Sequence, residues 1–179
     1  MEPRDLFVGL GSNIEPHANV RRMLDYLLRL APELDLSPIA VTAPVGIQGG
    51  GQVFLNLAVR LRTASASAEV KEYFNTVEVA LGRDRTDPGR KQRDRPADLD
   101  ILFALPVAAA VVPASIDLPT ETYLRPQLDA LLTYVGVGPA GATDPMASLT
   151  KVALDFHGTT VGPTCVTLRR RPSNPQETA

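Results

Sequence analysis

The chain has 179 residues, 44% of them hydrophobic, and a mean hydropathy near zero, which suits one domain with a real core, since single domains usually run ~100 to 200 residues. A net charge of -2 argues against general nucleic-acid binding, and the longest nearly apolar run, Ile101 to Val112, is interrupted by Pro106 and falls short of the ~18 to 20 residues that span a bilayer. The one cysteine, Cys165, cannot form an internal disulfide, and Met1-Glu2-Pro3-Arg4-Asp5 lacks the pattern of a signal peptide, so the expectation is a cytoplasmic protein with neither nucleic acid nor membrane as partner.

Leu6-Phe7-Val8-Gly9-Leu10 is a short apolar run closed by Gly11-Ser12-Asn13, the pattern of a buried strand ending in a turn at Gly11. From Asn19 to Leu30, Val20, Met23, Leu24, Leu27 and Leu28 recur at spacings of three and four, marking a helix that Pro32 stops. Ile39 and Val41 alternate in a strand over 37–42, and Leu55, Leu57, Val59 and Leu61 alternate in another over 54–61. The loop between them holds Gly46 and Gly49-Gly50-Gly51. Val70, Phe74, Val77 and Leu81 share one side of a helix over 67–81, ended by Gly82. Residues 98–105 form a further strand, 126–135 can hold a helix, and 151–156 with 161–168 can pair around His157-Gly158. The order strand, helix, strand, strand, helix, strand is that of an α+β, ferredoxin-like (βαββαβ) antiparallel sheet with two helices on one face. A C-terminal extension follows, one domain covers 1–170, and a disordered tail runs over 171–179.

The chemistry concentrates between Arg83 and Asp100. Arg83, Arg85, Arg90, Lys91, Arg93 and Arg95 place six of the chain's 18 basic residues in one connection, where Pro88 and Gly89 and the lack of apolar periodicity predict a mobile loop. Arginine's planar fork matches phosphate oxygens, and such a loop can close over a polyphosphate. Asp84, Asp87 and Asp94 interleave with these cations, as they would on an ordinary solvated loop. Directly after it, Asp98 and Asp100 lie two apart on a strand and project to one face ~6 to 7 Å apart, while Leu99, Ile101 and Phe103 face the other way. Two adjacent carboxylates call for a cation, and hard oxygen ligands suit magnesium, which commonly takes one or two carboxylates plus substrate phosphates.

Four segments in order carry a resemblance. Gly9-Leu10-Gly11-Ser12-Asn13, Thr42-Ala43-Pro44-Val45-Gly46 with Phe54-Leu55-Asn56, Glu78 before Leu81-Gly82-Arg83, and Arg95-Pro96-Ala97-Asp98-Leu99-Asp100-Ile101-Leu102 resemble the pterin pyrophosphokinase family of folate synthesis over roughly 5–105. The resemblance implies a ferredoxin-like fold and Mg2+-dependent transfer of pyrophosphate from ATP to the hydroxymethyl group of 6-hydroxymethyl-7,8-dihydropterin, releasing AMP, with two magnesium ions between the substrates. It implies Asp98 and Asp100 as metal ligands, and Arg83 and Arg95 beside them as catalytic groups. It further implies Thr42, Val45, Phe54 and Asn56 in the pterin pocket, Glu78, Arg85, Lys91, Arg95 and Ile101 toward ATP, and a monomer as the working form. The loop is two residues longer than the pattern, which makes Lys91 the loosest match.

Other readings of these residues are plainer: Phe54 as a core aromatic, Asn56 as a partner of loop backbone, Glu78 as a surface residue of its helix. Gly9-Leu10-Gly11 fails the dinucleotide fingerprint because Ile14 holds the third glycine position, and His17, His157 and Cys165 are too scattered for zinc. After Leu118-Pro119 the sequence departs from the family: Thr120-Glu121 replace an expected histidine, Arg125 is the only candidate for the following arginine, Gln127 or Leu128 stands where an aromatic is expected, and the loop tryptophan is absent. The alternative to an active enzyme is therefore an impaired paralogue that keeps the pocket as a pterin-binding or interaction module.

Overall fold

A computed structural model of the chain describes residues 2–44, 51–84, 86, 94–138 and 144–170. Its main sheet is antiparallel. The strands β1 (Arg4–Ser12), β2 (Glu33–Leu36), β4 (Phe54–Thr63), β5 (Asp98–Pro106) and β8 (Val166–Arg169) are arranged in the order β5-β1-β4-β2-β8, and the short β3 (Ala40–Thr42) pairs with the far end of β4. Two helices, α1 (Pro16–Leu30) and α2 (Ser67–Ala80), connect strands as the apolar periodicity predicts. A third, α3 (Arg125–Tyr134), follows β5, and β6 (Leu154–Phe156) with β7 (Thr159–Val161) forms a separate hairpin. No helix among the described residues is long and apolar enough to cross a membrane.

Side-chain alternation splits the sheet into two faces, each with its own core. On one, Leu6, Val8 and Leu10 of β1 and Leu55, Leu57, Val59 and Leu61 of β4 pack beneath Val20, Met23, Leu24 and Leu27 of α1 and Val70, Phe74 and Val77 of α2. The two helices are tied together by the Tyr73 hydroxyl, which donates to the Tyr26 carbonyl at 2.9 Å. On the other face Phe7, Ala58, Phe103 and Leu105 meet Leu128, Leu131 and Leu132 of α3.

Four expectations change. The strand expected over 37–42 is reduced to β3 at 40–42, and an unexpected strand, β2, precedes it at 33–36; Leu36 pairs with Val59 but Ala40 with Asn56, leaving one extra residue on this side. Pro38 offers no N–H there, and the Ser37 hydroxyl accepts the Ala58 N–H at 2.9 Å, so the ladder breaks as a bulge. Phe103 does not share a face with Leu99. The β1–β5 register slips between Phe7 and Val8, Leu102 is the added residue, and Phe103 is thrown to the opposite side, where its ring stacks on Phe7 at 4.6 Å. The hairpin does turn at His157-Gly158, both with positive φ, but its second arm is β7; residues 166–169 form β8 and join the main sheet beside β2. Gly11, expected in a turn, is an interior residue of β1. The expected tail over 171–179 and most of the arginine loop, at 85 and 87–93, lie outside the described residues.

Candidate active site

The absence of side chains on the central strand creates the site. Gly11 of β1 pairs with Asn56 of β4 on one side and Asp98 of β5 on the other, and Gly9 pairs with Ala58 and Asp100. Being two apart, Gly9 and Gly11 leave a bare floor between the polar side chains of the flanking strands. The space is taken closely: a Cβ on Gly11 would come within 2.6 Å of Asn56 Oδ1, and one on Gly9 within 2.9 Å of a methyl of Leu124. Above this floor opens a cleft of about 540 Å3 lined by Asn56, Asp98, Asp100, Ile101, Glu121 and Tyr123, among others. That volume lies within the range of small-molecule sites.

Cations of the chain meet both aspartates. Asp98 takes Arg83 on Oδ1 at 2.6 Å and Arg95 on Oδ2 at 2.7 Å. Arg83 Nη1 also lies 2.7 Å from Glu78 Oε1, an oxygen that accepts the Leu99 N–H at 2.9 Å. Asp100 takes the Lys71 ammonium at 2.8 Å. The Gly-Ser-Asn run explains how Arg95 is aimed: Asn13 Oδ1 accepts the Arg95 N–H at 2.6 Å, Asn13 N–H donates to the Arg95 carbonyl at 3.0 Å, and the Ser12 hydroxyl donates to the Pro96 carbonyl at 2.7 Å. The end of β1 thus pins the chain just before β5.

Among the described residues no group of three or more His, Cys, Asp or Glu side chains could hold a metal ion. Asp98 and Asp100 offer two carboxylates on an open cleft, and that donor set fits magnesium, which takes its remaining ligands from water and phosphate oxygens. Neighbouring carboxylates also act on Tyr123. Burial pushes its phenol above the ordinary range, Glu121 and Asp98 raise it further, and Arg95 pulls the other way. The hydroxyl therefore remains a protonated donor at neutral pH.

The family model described as 7,8-dihydro-6-hydroxymethylpterin-pyrophosphokinase (HPPK) matches residues 7–128. The chain belongs to this family. Two curated members from strains of Porphyromonas gingivalis, each named 2-amino-4-hydroxy-6-hydroxymethyldihydropteridine pyrophosphokinase, are 32% identical over 100 residues, covering 55% of this chain and 67% of theirs. The pyrophosphokinase match runs beyond the segments that first carried the resemblance, through β5 and into α3, so it includes the cleft wall at 117–124.

Of the expected pyrophosphokinase residues, four line this cleft, and Arg83 and Arg95 reach it through Asp98. Asn56, Asp98, Asp100 and Ile101 line it. The Asn56 amide donates to the Thr42 hydroxyl at 2.7 Å, leaving its Oδ1 toward Gly11. Phe54 pairs with Thr42 across the strands and is half-buried. Glu78 is no surface residue: it is 1% exposed and holds β5 and Arg83 from beneath. Val45, Arg85 and Lys91 lie outside the described residues. Gln127 and Leu128 are fully buried, and Arg125 turns to Asp129 at 2.8 Å on its own helix. Sequence reasoning missed Asn13, Lys71 and Tyr123. Asn13 stood inside a quoted motif, and Tyr123 was passed over because the expected aromatic was sought a few residues later.

Proposed function

We propose that the Asp98–Asp100 face of β5 is where this pyrophosphokinase brings ATP and a reduced pterin together. The activity is transfer of pyrophosphate from ATP to the hydroxymethyl group of 6-hydroxymethyl-7,8-dihydropterin, in folate biosynthesis. Release of AMP fixes the bond changes: the pterin hydroxymethyl oxygen bonds to the β-phosphorus of ATP, the bond from that phosphorus to the α,β-bridging oxygen breaks, and the hydroxyl proton leaves to solvent. Two magnesium ions bound by Asp98 and Asp100 would supply neutralisation of the polyphosphate charge.

The observation that carries the reading is the shared carboxylate of Asp98, gripped by Arg83 and Arg95. With magnesium held by that carboxylate, Arg95 and Arg83, the latter still anchored by Glu78, would meet phosphate oxygens, so the side chains that grip Asp98 would stabilise charge during transfer. Arg85 and Lys91 extend this grip along the loop, and Ile101 and Glu78 border and brace the nucleotide side. The pterin lies in the cleft bordered by Gly9 and Gly11. Asn56 and Thr42 fix its polar edge, Phe54 and Val45 bound one side, and Tyr123 provides the aromatic wall where Gln127 and Leu128 cannot. No covalent nucleophile takes part: the Cys165 thiol is pushed up to about 11 by burial and donates to the Ala130 carbonyl, away from the cleft.

The β5-β1-β4-β2 order, with α1 and α2 on one face, supports a ferredoxin-like core. We read residues 1–170 as one cytoplasmic domain working as a monomer. AMP release from ATP, Mg2+ and a panel of reduced pterins tests the assignment. Turnover highest with the hydroxymethyl compound and abolished by EDTA is expected; binding of pterin without AMP release under any condition would instead favour a non-catalytic module.

A further inference from the structure

Among the described residues β5 is an edge strand, paired only with β1, so the outward N–H and C=O groups of the residues facing away from β1 need partners. At Leu99, the residue between the two aspartates, α2 supplies both. Glu78 Oε1 accepts the Leu99 N–H at 2.9 Å, and Lys71 Nζ donates to the Leu99 carbonyl at 3.1 Å. Lys71 and Glu78 are seven residues apart and therefore share one face of α2. One acid and one base on that face close the strand edge at Leu99, between the two aspartates.

Lys71 does more than close the edge, because the same ammonium donates to Asp100 Oδ1 at 2.8 Å. The two aspartates are held very differently. Asp98 is 23% exposed and clamped by two guanidinium groups that are themselves mostly buried. Asp100 is 63% exposed, and Lys71, at 41%, reaches it on a flexible stem from a neighbouring element. A solvent-facing pair of this kind contributes little net stability and is readily exchanged.

We propose that Lys71 is the resident counter-ion of Asp100, holding the carboxylate while nucleotide is absent and giving it up when the divalent cation enters. The proposal rests on the reading of Asp98 and Asp100 as metal ligands. An ammonium on the same oxygen competes with the metal and lowers its affinity when nucleotide is absent. Once a polyphosphate is present, the displaced ammonium has phosphate oxygens to turn to, so metal and nucleotide bind better together than apart. Lys71 is thereby a positioning residue that favours entry of the metal with its nucleotide over entry alone.

Mn2+ binding followed by electron paramagnetic resonance, with and without a non-hydrolysable ATP analogue, tests this on the full chain. K71M keeps the aliphatic stem over β5 and removes the charge, and K71R keeps the charge. With nucleotide absent, K71M is expected to bind Mn2+ about five- to tenfold more tightly than wild type, K71R to stay within about twofold, and the enhancement by the analogue to shrink in K71M. D100N is expected to weaken Mn2+ binding in every background. If D100N weakens binding but K71M leaves it unchanged or weaker, the counter-ion role is overturned and the metal site stands. If neither variant alters binding, the metal-site reading itself falls, and the proposal with it.

Discussion

The face of the sheet that carries α3 holds a charged cluster at each end of β1, and the two are built from the same parts. At one end Asp5 and Asp35 alternate with Arg60 and Arg62 across β1, β4 and β2: Arg62 Nε lies 2.8 Å from Asp5, Arg60 Nη2 2.5 Å from Asp35, and the Thr167 hydroxyl donates to the other Asp35 oxygen. At the opposite end Asp98 and Asp100 meet Arg83, Arg95 and Lys71. The first cluster is the more closed of the two, with both aspartate side chains at most 7% exposed, every partner on a strand and only a small pocket of about 240 Å3 beside it. The second opens on a cleft, and its cations come from a helix and the ends of a loop. Composition alone does not separate a structural network from a site. What separates them is how far the carboxylates are exposed to a space large enough for a substrate, and whether their partners can leave without unzipping a sheet.

This contrast is open to direct attack. Removing a cation from the cleft cluster should cost chemistry and little stability: Arg95→Ala is expected to lower kcat by about 10^2 to 10^3, with a urea midpoint close to wild type. Removing an anion from the closed cluster should do the reverse. Asp35→Ala leaves Arg60 half-compensated by Asp5 alone and is expected to cost about 2 to 3 kcal/mol in urea denaturation, with kcat unchanged in the folded fraction. Gly11→Ala sharpens the account of the floor between these clusters. Its Cβ must push the Asn56 amide aside, and KM for the pterin should rise about tenfold, with KM for ATP nearly unaffected. Tyr123→Ala should raise the pterin KM by a smaller factor, about fivefold, and Tyr123→Phe should restore most of it.

Local patterning made much of this legible. Periods of 3.6 and 2 marked α1, α2, β4 and β5, and a continuous apolar run marked β1, which is buried on both faces of the sheet. That Asp98 and Asp100 share a face followed from strand alternation, and reading them as a site drew on the arginine loop directly before them. Legibility failed where a single residue is inserted. The bulge at Leu102 carries no glycine or proline to announce it, and it alone reverses the side on which Phe103 lies. Pro38 did announce the break between β2 and β3, but the alternation of Ile39 and Val41 around it was more conspicuous. Pairing of β8 with β2 joins residues far apart in the chain and leaves no local mark. Lys71 was hidden for the same reason: its spacing from Glu78 is visible on α2, but the Leu99 backbone they both meet is not. Gly9 and Gly11 were visible as a motif, but Gly11 was misread as a turn, because a missing Cβ serves close approach as well as it serves a positive φ.

The central claim is that the open cluster does the chemistry, and Asp100 is its most accessible member. The most direct measurement is AMP release from ATP, Mg2+ and 6-hydroxymethyl-7,8-dihydropterin by Asp100→Ala beside wild type, with both shown to be folded by thermal denaturation. A fall in kcat of about 10^3 or more at unchanged melting temperature is the expected result. Turnover within tenfold of wild type, still dependent on magnesium, would contradict it and put the metal and polyphosphate elsewhere on the molecule.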